Sequence, residues 1–186
     1  LKSRTYIDQH VELVARCKRG ERKAQYELYQ CYSKAMFNVC MRILNHSGEA
    51  EDALQDAFVD AFTNLEQFRQ QSTFGAWLKQ IVINRALSQV RSRKMEYVEL
   101  GNWDEPESEM ASVEEQDSVP LDVLRIQQSM GELPDGYRVV LSLYLFEGYD
   151  HEEIGQVLQI SESTSRSQYL RAKRKLLEIL KEQRGK

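Results

Sequence analysis

Apolar residues recur every three or four positions along two stretches of this chain, 8–94 and 122–186, and lose that periodicity between them. Such spacing puts the apolar side chains on one face of an α-helix, whereas a strand would need alternation with a period of two. No stretch of useful length alternates in that way, so the fold class expected is all-α. A structureless stretch as long as 95–121 is unusual inside one compact domain. The organisation expected is therefore two small helical domains, 1–94 and 122–186, joined by an extended linker, 95–121. Bodies of about 60 residues can close a core of their own.

Punctuation sharpens the reading. In the first domain, Val11, Val14 and Ala15 open an apolar stripe that Gly20 stops. Tyr26, Leu28, Tyr29, Tyr32, Met36, Val39, Cys40, Ile43 and Leu44 mark a long helix, broken at Asn45-His46-Ser47-Gly48. From Glu49 onward Ala50, Ala53, Leu54, Ala57, Phe58, Ala61, Phe62 and Leu65 share a broad face. A polar break at Arg69–Ser72 follows, and Ser72 is the expected N-cap of the helix that carries Trp77, Leu78, Ile81, Val82 and Leu87. In the second domain Pro134 suits a helix start, where its missing N–H costs nothing. That helix ends at Gly148, and Asp150 caps a short one after it.

The net charge of −4 argues against nucleic-acid binding only until it is divided along the chain. Residues 1–94 carry 15 Lys/Arg against 10 Asp/Glu. Residues 95–121 carry nine Asp/Glu and no Lys/Arg, and 122–186 carry ten of each sign. From Ser165 onward there are eight basic residues and two acidic ones. A phosphate backbone responds to that local surplus rather than to the total.

Several classes fall away. No apolar run approaches the roughly 20 residues of a membrane span, and the N-terminal stretch lacks the apolar core of a signal peptide, so a cytoplasmic protein is expected. Cys17, Cys31 and Cys40 are odd in number and form no C-x-x-C pair, which favours reduced thiols. His10, His46 and His151 are far apart, and His151-Glu152 is not followed by a second histidine at zinc-protease spacing. No metal or other cofactor is expected.

The most informative stretch runs from Tyr149 to Leu180. A short helix, 151–158, is followed by the tight connection Gln159–Glu162 and a longer basic helix from about Ser163. Ile154, Leu158 and Ile160 can pack on Tyr169, Ala172, Leu176 and Leu177. That leaves Arg166, Ser167, Leu170, Arg171, Lys173 and Arg174 outward, the layout of a helix-turn-helix whose second helix enters the major groove. Arg166 and Arg171 can donate bidentate bonds to guanine or hold phosphates. Thr164 and Ser167 can bond base edges, Leu170 can touch a thymine methyl, and Lys173 and Arg174 suit phosphates. A solvated helix end, with basic residues complementing the helix dipole, is the plainer reading of the same charges.

In the first domain Asp52, Gln55 and Asp56 share a polar helix face, which suits a basic protein partner. After it come Phe68, Phe74 and Trp77, then Arg91, Arg93 and Lys94. Aromatic rings beside basic groups suit unstacked bases, although core packing explains the same rings.

Both domains resemble a bacterial RNA polymerase sigma factor of the extracytoplasmic-function group. The residues that carry the resemblance are AEDALQDAF, then FRQQSTFGAWLKQIVINRAL with a trailing RSRK, and LPDGYRVVLSLYLFEGYDHEEIGQVLQIS followed by STSRSQYLRAKRKL. The resemblance implies a non-enzymatic subunit that binds core RNA polymerase, through the β′ clamp helices and the β subunit, and directs it to promoter DNA. It assigns Asp52, Gln55 and Asp56 to the β′ clamp helices. It assigns the loop Phe68–Phe74, including Arg69 and Ser72, with Asn84, to a flipped base of the minus-ten element, and Arg91, Arg93 and Lys94 to the upstream duplex. Thr164, Arg166, Ser167, Leu170, Arg171, Lys173 and Arg174 would meet the minus-thirty-five element. The acidic linker would thread channels that RNA otherwise occupies, and an anti-sigma factor is a common further partner in this group. The chain departs from the family's usual Gly-Thr-Val-Lys-Ser-Arg at the recognition helix, reading Ser163-Thr164-Ser165-Arg166-Ser167-Gln168. Ser165 there replaces an apolar inward residue and Gln168 a basic one.

Two other classes compete. A stand-alone helix-turn-helix repressor or activator would leave Asp52, Gln55 and Asp56 without a use. A helical enzyme working through Glu51, Asp52 and Asp56 would want histidines or E-x-x-H pairs on facing helices, and the sequence has none.

Overall fold

The computed structural model describes residues 10–96 and 123–183, with the side chains of 94–96 and 123–124 outside the described set. Among the described residues there are eight α-helices and no strand: α1 Val11–Lys18, α2 Arg22–Leu44, α3 Ser47–Thr63, α4 Phe74–Glu96, α5 Val123–Gly131, α6 Asp135–Ser142, α7 His151–Leu158 and α8 Glu162–Glu182. A short 3-10 turn, Leu65–Gln67, follows α3, and a π-helical turn, Leu143–Glu147, continues α6. The fold is all-α, as the periodicity demanded. The chain divides into two compact units between Ser92 and Arg93. Most of the expected linker lies outside the described residues, but α4 runs to Glu96, past the expected boundary at 94. Arg93, Lys94, Met95 and Glu96 are all good helix formers, so nothing local stops it.

In the first unit the amphipathic stripes close one core. Leu28, Ile43 and Leu44 of α2 are fully buried, as are Leu78, Val82 and Ile83 of α4, with Leu54 and Phe58 of α3 beside them. The break between α2 and α3 is shorter than the sequence suggested. Asn45 adopts the left-handed conformation at φ +54° and ends α2. The His46 ring then accepts the Glu49 N–H at 3.3 Å, so Ser47 and Gly48 already belong to α3. First-turn N–H groups have no partner within the helix, which makes a side-chain acceptor valuable there.

Ser72 does not cap α4. Thr73 does, its hydroxyl accepting the Ala76 N–H at 3.2 Å, while the Ser72 hydroxyl donates to the Thr73 carbonyl. Either hydroxyl could serve. The choice is fixed by Phe74, whose complete burial sets where the helix begins.

The second unit is built on Met130, Leu133, Leu141, Ala172, Leu176, Ile179 and Leu180, with Ile126, Tyr137 and Tyr169 packed against them. The buried side of α8 reads Ser165, Gln168, Ala172, Leu176, Ile179 and Leu180, a helical stripe that is polar at its start and apolar beyond. Between α6 and α7 the chain turns at Gly148, where φ is +78°, a conformation that costs glycine nothing.

Candidate nucleic-acid and partner interfaces

The helix-turn-helix is assembled from local hydrogen bonds. Asp150 caps α7 by accepting the Glu153 N–H at 2.8 Å, while the Glu153 carboxylate accepts the Asp150 N–H at 2.9 Å, so two orphan donors are satisfied reciprocally. The helix ends at Gln159 in the left-handed region, φ +59°, and the Ile160 N–H donates to the Gly155 carbonyl at 3.0 Å. Gly155 makes this closure possible. A Cβ there would stand 2.9 Å from the Ile160 carbonyl oxygen and 3.5 Å from the Glu162 nitrogen. Sequence reasoning passed over this glycine because one glycine inside a helical pattern is tolerated without a special reason.

Ser161 caps α8, accepting the Thr164 N–H at 3.0 Å. Its hydroxyl also contacts those of Ser163, at 2.8 Å, and Thr164, at 2.7 Å. Thr164 is thus half-buried in the cap network, whereas Arg166, Ser167, Leu170, Lys173 and Arg174 are exposed. Ser167, Leu170 and Arg174 follow one another at helical spacing with Arg166 beside them, over about 12 Å at 1.5 Å per residue. Leu170 is an apolar residue 42% exposed in the middle of that polar face. Arg166 pairs with Glu162 one turn earlier, so a contact with DNA would have to replace that pairing. Arg171 is half-buried at the edge of the face.

In the first unit α3 turns Ala50, Ala53, Leu54, Ala57, Phe58 and Ala61 inward and Asp52, Gln55 and Asp56 outward. Val59, 64% exposed, continues that outward face at the same helical spacing. Asp60 serves differently: it pairs with Arg85 and ties α3 to α4.

Two aromatic residues require correction. Phe68 and Phe74 are 3% and 0% exposed, so neither ring has a face to offer a base. Their rings lie 5.7 Å apart, and Tyr32 and Trp77 pack on Phe74 at 5.4 and 5.7 Å. Together they form the floor under the loop. Lys18 donates to the Phe68 carbonyl at 3.0 Å and fixes the loop's start. Above the floor Arg69 and Ser72 are exposed, and Gln70 sits in the left-handed region at φ +57°. Trp77 is half-buried. Gln80, Asn84, Ser88 and Arg91 form an exposed stripe on α4. Arg93 is half-buried, and the Lys94 side chain lies outside the described residues.

No helix among the described residues is long and apolar enough to cross a membrane. Cys17 and Cys40 are buried free thiols and Cys31 is an exposed one. Burial pushes the Cys40 thiol up to about 12, far from the thiolate range.

One unit presents an acidic helix face and the other is built as a helix-turn-helix, the layout of a DNA-binding module. Comparison with known proteins narrows the class. The Sigma-70 region 2 family matches residues 28–96, and the Sigma-70 region 4 family matches residues 124–176. The RNA polymerase sigma-H factor of Pseudomonas aeruginosa is 31% identical over 182 residues, covering 89% of this chain and 91% of that protein. The ECF RNA polymerase sigma factor SigW of Bacillus subtilis is 26% identical over 185 residues, 91% of this chain and 95% of that one. The fold is similar to that of the sigma factor RpoE from Bartonella quintana, solved with the anti-sigma factor NepR. The TM-score is 0.55 and the identity 23%, over 84% of this chain and 96% of that one. The chain belongs to the sigma-70 family, with relatives named for its extracytoplasmic-function (ECF) group. Proteins of this family bind core RNA polymerase and promoter DNA and direct promoter-specific initiation of transcription, without themselves being the catalytic subunit.

Proposed function

We propose that the two units divide the promoter between them: the first engages the minus-ten element and the second, through α8, reads the minus-thirty-five element. Asp52, Gln55 and Asp56 meet the β′ clamp helices, with Val59 adding an apolar contact to the same face. Arg69, Ser72 and Asn84 receive the non-template strand, and Arg91, Arg93 and Lys94 hold the duplex upstream of it. Phe68 and Phe74 support that loop from below, and Trp77 is the ring placed to stack on a base. Stacking on an aromatic ring contributes about 1–3 kcal/mol per base, a sizeable offset to the few kcal/mol that base extrusion costs.

On α8, Arg166, Ser167 and Leu170 face base edges while Lys173 and Arg174 hold phosphates, with Thr164 and Arg171 at the margins. The acidic residues of 95–121 keep the tether away from DNA and in basic channels of the polymerase. The chain works in the cytoplasm beside polymerase and catalyses no covalent step. An anti-sigma factor is a further partner, as in the solved RpoE complex.

The observation that carries this reading is the occurrence of both family segments in order, each in its own compact unit and each with an exposed polar face. Competition for core polymerase against the unmodified chain tests the docking face. Asp52→Lys with Asp56→Lys should bind core at least about tenfold more weakly while keeping native helicity, since like charges facing a basic partner are strongly unfavourable. Retained affinity would remove this face from the polymerase contact. Arg166→Ala should weaken binding to the upstream element by about 1–3 kcal/mol, the value of one bidentate base contact.

A further inference from the structure

The buried stripe of α8 begins with a serine where an apolar residue would pack without need of a partner. Ser165 is fully buried, and its hydroxyl lies 3.0 Å from Nδ1 of His151, the first residue of α7. His151 is half-buried and packed by two further rings. Its ring stacks on Tyr144 of the π-helical turn at 4.8 Å with only 20° between planes, and meets the edge of Tyr169 of α8 at 5.5 Å. Tyr144 and Tyr169 themselves pack at 4.6 Å, so the histidine that meets Ser165 belongs to a cluster of three rings from three elements.

Ser165 sits between Thr164 and Arg166, and the helix can roll only as far as its buried residues permit. A buried hydroxyl left without a partner costs more than the bond to it contributes, so the roll that keeps Ser165 against His151 is favoured over its neighbours. We propose that His151 is a positioning residue: through Ser165 it sets the roll of α8, and with it the presentation of Arg166, Ser167 and Leu170 to the minus-thirty-five element. The inference rests on the reading of α8 as the upstream-element helix.

The surroundings of His151 favour its neutral form. The groups facing His151 are Tyr144 from the π-helical turn, Tyr169, Glu162 and Arg166 from α8, and Asp150 at the cap of α7. Burial, first, and the Arg166 charge, second, hold the imidazole below its ordinary value, against smaller opposite effects of Glu162 and Asp150. The neutral ring can accept from the Ser165 hydroxyl or donate to it, according to its tautomer, so the bond is available in the form the fold favours.

The test is initiation by holoenzyme reconstituted from core polymerase and the full chain, on a promoter with its upstream element intact or scrambled. The ratio of the two rates is the discrimination. The unmodified chain should discriminate well. His151→Phe keeps the stacking and removes the bond. It should lower discrimination about 3- to 10-fold, the range one neutral hydrogen bond supports. His151→Gln, whose amide can still meet Ser165, should recover discrimination. Discrimination unchanged in His151→Phe, or lost equally in His151→Gln, would overturn the positioning role alone. An unmodified chain indifferent to the upstream element would overturn both this inference and the reading beneath it.

Discussion

Replacing Phe74 by alanine separates the two roles that sequence and structure assign to this ring. The side chain is wholly buried and in aromatic contact with Tyr32, Phe68 and Trp77 at 5.4, 5.7 and 5.7 Å. Truncating a buried phenylalanine costs about 3–5 kcal/mol from lost burial and the cavity left behind. Three ring partners place Phe74→Ala at the upper end, since an aromatic pair contributes about 0.5–1.5 kcal/mol beyond its area. In a unit of this size each kcal/mol lowers the melting temperature by about 4–8 °C, so a loss of at least about 20 °C is expected. Phe74→Leu retains most of the volume and should lose far less. Urea and thermal unfolding followed by circular dichroism give the stability, and promoter opening by the reconstituted holoenzyme gives the function. Phe74→Leu should still open promoter DNA at a temperature where it is folded. A Phe74→Ala chain that melted within a few degrees of the unmodified one yet failed on minus-ten DNA would refute the assignment of this ring to the core.

Three further outcomes follow from particular atoms. Gly155→Ala should destabilise the second unit by about 1–3 kcal/mol, because the added methyl meets backbone rather than a side chain that can swing away; a thermal melt that leaves this unit unchanged would contradict it. In the native chain at mildly alkaline pH, iodoacetamide should label Cys31 and spare Cys40, as mass spectrometry of the peptides would show, since Cys31 is exposed and Cys40 is both buried and held protonated. Gly75→Ala should disturb the first unit through Tyr32, whose ring carbon would lie 2.8 Å from the new Cβ. The readout is a fall in melting temperature that Tyr32→Phe does not remedy, because the clash is with the ring and not with the hydroxyl.

What the sequence disclosed, and what it withheld, follows from the range of the forces involved. Helical periodicity is a local property, so the helices and the caps at Asp150 and Gly148 were visible in the residues themselves. The outward position of Asp52, Gln55 and Asp56 follows from the same 3.6-residue period. For Phe68 and Phe74 the sequence leaves core and base contact open, because an aromatic residue in a polar loop has the same composition whether its ring points up to a base or down to a core. The downward choice is made by Tyr32 and Trp77, of which the first lies more than 40 positions away. Ser72 and Thr73 are chemically equivalent caps, and the register of α4 decided between them. In the sequence His151 stands out only as an incomplete metal motif. Its link to Ser165 spans 14 positions and two helices, and no pattern within either helix announces it. Ser165 itself was noticed, as a polar residue at an inward position, but without the partner that accounts for it.

The central claim is that this chain directs polymerase to promoters through two separate contacts with DNA. The most direct measurement is transcript yield from core polymerase with and without the full chain, on templates in which the minus-ten and minus-thirty-five elements are scrambled singly and together. Yield should depend on the added chain and fall when either element is scrambled, and Arg166→Ala should reduce the effect of the upstream one alone. Equal yield on all templates, or no response of core polymerase to the chain, would contradict the account.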